Sequence, residues 1–178
     1  MNIVLIGNNT PFGDAVTLIP ELALPEHIFI TFPEDFCYTQ PNWIYSLETS
    51  LIEAFGSPDK IDLLIMTCSK EDRTSPQQYT LRALYPLFRR VSMQIMVVND
   101  ICHLVESAKT SLYHARKRDV ERFVLDQFGD TNRVCNLSIF SAALNKTPSD
   151  SVIELFLDFM KSSFGSVSSL RALAIFKE

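Results

Sequence analysis

Short apolar runs separated by longer amphipathic stretches constrain this chain more than any other feature. The runs are Asn2–Ile6 (NIVLI), His27–Phe32 (HIFITF), Ile61–Thr67 (IDLLIMT), Gln94–Asn99 (QIMVVN), Arg133–Phe140 (RVCNLSIF) and Leu170–Phe176 (LRALAIF). Most are apolar at successive positions, not at alternate ones. A strand with one wet face shows alternation, whereas a strand covered on both faces does not, so these runs read as strands of a parallel sheet. Parallel neighbours cannot be joined by a hairpin. They need a crossover, and the stretches between the runs are long enough to supply helices. Strand and helix alternating in this way predict right-handed βαβ units in a doubly wound parallel sheet, an α/β/α sandwich.

The helices announce themselves unevenly. Trp43–Phe55 carries Leu47, Leu51, Ile52 and Phe55 at helical spacing, and Gly56 stands where a left-handed C-terminal residue belongs. Pro11 to about Leu24 reads as a helix with Pro20 as a break inside it. Pro76–Arg90 has Pro86 as a kink, and Glu106–Phe128 has Val120, Phe123, Val124 and Phe128 as its stripe. In the last, Ser149–Ser163, Ser149 is the cap and Asp150 sits at the positive end.

With 178 residues, 47% of them hydrophobic and 21% charged, the chain reads as one globular domain over 1–178. A net charge of −5 argues against a nucleic-acid partner, which selects a basic surface. No apolar run is long enough to span a membrane, and Met1–Gly7 lacks a basic region, so it reads as a first strand and not as a signal peptide. Cys37, Cys68, Cys102 and Cys135 are far apart, which fits free thiols in a cytoplasmic protein. His27, His103 and His114 have no ligand spacing, so no metal site is expected.

Two motifs carry chemistry. In VLIGNNTPFG, Gly7 and Gly13 bracket the turn from the first strand into the first helix, with Asn8, Asn9 and Thr10 between them. Such a turn cradles a phosphate, or it simply uses glycine for its backbone angles. In YHARK, Tyr113 and Lys117 stand one helical turn apart on one face. That pair is an acid–base couple or a chance pairing on a wet helix.

These segments, in the order VLIGNNTPFG, LIEAFGSPDKIDLLIMTCS, IMVVND and Tyr-x-x-x-Lys, resemble the short-chain dehydrogenase/reductase family. The resemblance covers most of the chain and implies a Rossmann-like fold and an NAD(P)-dependent oxidoreductase acting on a carbonyl or alcohol. It makes Tyr113 the catalytic acid or base. Lys117 would favour the phenolate by its charge and hold the nicotinamide ribose. Gly7, Asn8, Asn9, Thr10 and Gly13 would bind NAD or NADP, with Glu34 or Asp35 selecting NAD through the ribose hydroxyls, unless these two simply belong to an acidic surface loop.

The departures from the family are specific. Pro11 replaces the middle glycine of the first loop, Met66-Thr67-Cys68-Ser69 replaces the family's NNAG, and Asp100 stands nearest the place of the catalytic serine. Between the second run and IDLLIMT there is room for one helix only, so one βα unit of the family is missing and the sheet has a shortened edge. Proline offers no N–H to a pyrophosphate, and the missing unit helps wall the adenine pocket, so weak cofactor binding is expected. The alternative to the enzyme is a non-catalytic, degenerate relative that keeps the fold as a binding or dimerising module. Relatives pair two helices across a two-fold axis. Here that implies a homodimer through Pro76–Arg90 and Glu106–Phe128, where Leu81, Leu84, Phe88 and Phe123 offer surplus apolar surface.

Overall fold

The computed structural model describes residues 1–33, 36, 41–68, 93–100, 135–143, 146–163 and 170–174. Its elements, in chain order, are β1 (Asn2–Ile6), α1 (Pro11–Thr17), β2 (Ile28–Phe32), α2 (Trp43–Phe55), a 3-10 turn (Pro58–Lys60), β3 (Leu63–Cys68), β4 (Met93–Asp100), β5 (Cys135–Ala142), α3 (Asp150–Ser163) and β6 (Leu170–Ala174). The six strands form one sheet in the order β2-β1-β3-β4-β5-β6, every pair parallel. The parallel sheet read from the continuous apolar runs is therefore present, with strand ends within two residues of the expected ones. No helix among the described residues is long and apolar enough to cross a membrane.

Alternate strand residues feed two cores. Val4, Ile6, Leu64, Met66, Ile95 and Val97 face α2, where Trp43, Leu47, Leu51 and Phe55 are buried. Ile3, Leu5, Leu63, Ile65, Met96, Val98 and Phe140 face the other way, toward Phe12 and Val16 of α1 and Val152, Phe156, Leu157 and Met160 of α3. The second core is knit by aromatic edges. Phe156 stands T-shaped to Phe12 at 5.5 Å and to Phe140 at 5.3 Å between ring centroids. Burying each such ring stabilises the fold by about 1.5–3 kcal/mol.

The amino ends of the central strands are tied in register by side chains. The Asn2 amide donates to the Asp62 carboxylate at 2.8 Å, and the Asn2 side chain donates to the Lys60 carbonyl at 2.7 Å. Asp62 N–H donates to the Asn2 carbonyl and Gln94 N–H to the Asp62 carbonyl, both at 3.0 Å. The polar lacing sits at one end of the sheet, so the other end is free to carry loops of function.

Two expectations are corrected. The first helix stops at Thr17, with Leu18 as its C-cap, and does not run to about Leu24. Ile19 and Leu22 are still buried, at 3% and 1% exposure, but they are carried by turns. Their helical spacing thus reports a shared core and not a continuous helix. The second correction concerns hand. The β1-to-β2 crossover moves toward one edge over the α1 face. The β2-to-β3 crossover moves toward the other edge over the α2 face, which gives it the same hand. The β5-to-β6 crossover moves in that second direction but passes over the α1 face, on α3. It therefore has the opposite hand, and since right-handed crossovers are the near-universal rule, the last one is left-handed. Nothing in residue periodicity encodes the face chosen by a crossover helix.

The helix ends differ: Asn42, the N-cap of α2, is left-handed at φ 59° and makes no side-chain cap hydrogen bond, whereas the C-terminal end has the expected glycine. Gly56 closes α2 at φ 77°, with its N–H on the Ile52 carbonyl. At the start of α3 the Ser149 carbonyl accepts from Val152 and Ile153, and its hydroxyl meets that of Ser151 at 3.0 Å. Pro76–Arg90 and Glu106–Phe128, and with them the dimer surface placed there, lie outside the described residues.

Candidate site at the switch point of the sheet

The order in which strands are added reverses around β1, which pairs with β2 on one side and β3 on the other. β1 is therefore the switch point, where doubly wound sheets open a crevice at the carboxyl ends of their strands. In doubly wound sheets this crevice is where ligands bind. The described residues at this point are the β1–α1 turn, Gly7 to Thr10, and Thr67 near the end of β3.

The turn is held by hydrogen bonds within itself and to β2 and β3. Gly7 N–H donates to the Phe32 carbonyl at 2.6 Å, and Asn8 N–H reaches the same oxygen at 3.3 Å. The Gly7 carbonyl accepts from Thr10 N–H at 3.1 Å, from the Thr10 hydroxyl at 2.8 Å and from the Thr67 hydroxyl at 3.0 Å. The Thr10 and Thr67 hydroxyls lie 3.1 Å apart, and both residues are 2% exposed. Thr10 is also the N-cap of α1, its hydroxyl accepting from Gly13 N–H at 2.9 Å. Asn8 donates its side-chain amide to the Thr31 hydroxyl at 3.2 Å.

Both glycines are required by these contacts. Gly7 has φ 107°, and a Cβ there would lie 1.9 Å from the Thr67 hydroxyl oxygen. A Cβ on Gly13 would lie 2.0 Å from the Gly7 carbonyl oxygen. The close approach for which glycine is needed is thus made to another part of the same chain. A helix start normally offers first-turn amides to an anion. Here Pro11 has none, that of Gly13 is held by Thr10, and Phe12 is 0% exposed.

The expected site residues therefore divide. Gly7, Asn8, Asn9, Thr10 and Gly13 are brought together at the switch point, with Asn8 half-buried and Asn9 exposed. Asp100 ends β4 at the same carboxyl edge of the sheet, in register with Ala142. Tyr113, Lys117, Glu34 and Asp35 lie outside the described residues. Thr67 was not singled out by sequence reasoning. Its signal is a lone hydroxyl at the end of an otherwise apolar central strand. Among the described residues no group of His, Cys, Asp and Glu is arranged to hold a metal ion. Compared with protein-family models, curated proteins and solved structures, the chain matches none.

Proposed function

We propose that this chain is a short-chain-dehydrogenase-like protein that has kept the scaffold and given up the dinucleotide grip of its first turn, and that it works as a binding or dimerising module. One observation carries the reading: no amide of the first turn of α1 is open to a pyrophosphate, because proline, the Thr10 cap and the burial of Phe12 remove them in turn. Thr67 strengthens it by placing a protein hydroxyl against Gly7. The sheet order, ending at β2 beside β1, fits a relative that lacks the βα unit beyond this strand.

Calorimetric titration with NAD(H) and NADP(H) tests this. The expected result is no binding in the micromolar range, and micromolar or tighter affinity for either cofactor overturns it. The second reading is the NAD(P)-dependent oxidoreductase, with Tyr113 as acid or base and Lys117 as its partner. It is favoured by the Gly7–Gly13 turn, which stands at the switch point where a dinucleotide would lie. On that reading Tyr113→Phe abolishes turnover of a carbonyl substrate and leaves the fold intact.

A further inference from the structure

The sheet ends on one side at β2, and this edge is open. In a parallel strand, alternate residues turn both backbone groups to the same neighbour. Ile28 N–H donates to the Met1 carbonyl at 2.9 Å and the Phe32 carbonyl accepts from Gly7 at 2.6 Å, so Ile28, Ile30 and Phe32 face β1. Phe29 and Thr31 face away. Among the described residues their outward N–H and C=O groups meet no partner. Ile28 is 44% exposed and Thr31 is exposed, and among the described residues no strand pairs with β2 on this side.

Natural edges of this kind are blunted by charge, by proline or by a bulge. The β2 strand, IFITF, has neither a charge nor a proline. We infer that the β2 edge is an interface between two copies of this chain, joined antiparallel across a two-fold axis at Ile30.

The pattern of open groups selects that axis. Antiparallel strands exchange hydrogen bonds at every second residue pair. With the axis at Ile30, Phe29 and the partner's Thr31 exchange N–H and C=O, as do Thr31 and the partner's Phe29, so every outward group on β2 is satisfied. The two Ile30 residues form the closer, non-bonded pair between them. Ile28 stands opposite the partner's Phe32, a β-branched–aromatic pairing of the stabilising kind. No charge in the strand meets its own copy. A two-fold pairing also closes both open edges at once, which a head-to-tail addition does not. The inference rests on the module reading above only for its purpose. It names the dimerising surface, and its test is separate from cofactor binding.

Sedimentation equilibrium at tens of micromolar should show a dimer. Thr31→Pro removes one outward donor at a position where proline is tolerated, because that N–H is not bonded within the chain. It should weaken the dimer at least about ten-fold with an unchanged circular dichroism spectrum. Ile30→Cys should give an intermolecular disulfide between the introduced thiols under mild oxidation, located by peptide mapping. That variant decides the question even if the proline does not fold. A monomeric wild type overturns the inference, as does a dimer unaffected by a folded Thr31→Pro, or an Ile30→Cys protein that forms no cross-link at that position. Micromolar cofactor binding by a dimer would overturn the module reading and leave this interface standing.

Discussion

The β1–α1 turn and the β2 edge lie one strand apart and treat their backbone polar groups in opposite ways. At the turn, one carbonyl, that of Gly7, takes three donors, and both threonine hydroxyls are buried among them. At the edge, Phe29 and Thr31 leave donors and acceptors facing outward. The two regions meet at the Phe32 carbonyl, which anchors Gly7 and ends β2. A buried polar group is costly when unpaired, so the closed turn is stable and has little to offer a ligand. An exposed edge is paired with water until a strand replaces it. On the reading proposed above, capacity to bind lies where hydrogen bonds remain unmade within the chain, at the edge and not in the loop that the motif points to.

The comparison is broken most severely at Gly7. Gly7→Ala places a methyl 1.9 Å from the Thr67 hydroxyl at a φ of 107°. Steric overlap in a packed site and left-handed backbone together should destabilise the protein by about 3–5 kcal/mol, or prevent folding. Urea denaturation measures this. Because Thr67 is the obstacle, Thr67→Ala in the Gly7→Ala background should recover part of the loss. Two losses that simply add would show that the threonine does not define the turn. Next comes Thr10→Ala, which removes the cap on Gly13 and one donor to Gly7. It should cost about 1–2 kcal/mol in the same assay. If it costs nothing, the turn is not held by its own hydroxyls.

The sequence carried the sheet well and the site only in part. Runs such as IVLI and LLIM are legible because burial on both faces erases alternation, and Trp43–Phe55 is legible because its apolar spacing and Gly56 agree. The early end of α1 was hidden, since Ile19 and Leu22 keep helical spacing while serving the core from turns. The left-handed last crossover was hidden because the buried stripe of α3, Val152, Phe156 and Met160, would look the same on either face. At the site, Gly7 and Gly13 were found by their residue type. The role of Thr67 depends on β1 and β3 being neighbours in a set register, Ile6 beside Met66, which no local pattern states. The glycines were legible and the atom they accommodate was not.

The edge responds differently to substitution. Ile28→Lys adds a charge to a residue that is 44% exposed and should change monomer stability by less than about 0.5 kcal/mol. Its effect should appear in association, because a lysine opposite the partner's Phe32 replaces an apolar pair, and edge lysines block strand addition. A denaturation midpoint near that of wild type, with a lower sedimentation mass, is the expected pair of results. A large loss of stability in dilute monomer would mean that Ile28 serves the core and not an edge.

The smallest expected effect on binding is at Pro11. The motif blames Pro11 for poor cofactor binding, since it replaces a glycine. The turn itself assigns less to it. Pro11→Gly returns one N–H to the first turn but leaves Gly13 N–H on the Thr10 hydroxyl and Phe12 in the aromatic cluster. It also lifts the restraint that a proline at the first helical position places on the unfolded chain, a loss of about 0.4–1 kcal/mol. Titration of this variant with NADH should therefore show an affinity change of less than about three-fold, below 0.7 kcal/mol. A ten-fold or greater gain would mean that the proline alone closes the loop. The Thr10–Thr67–Gly7 network would then be a neutral neighbour of a cofactor site and not the reason that the turn is shut.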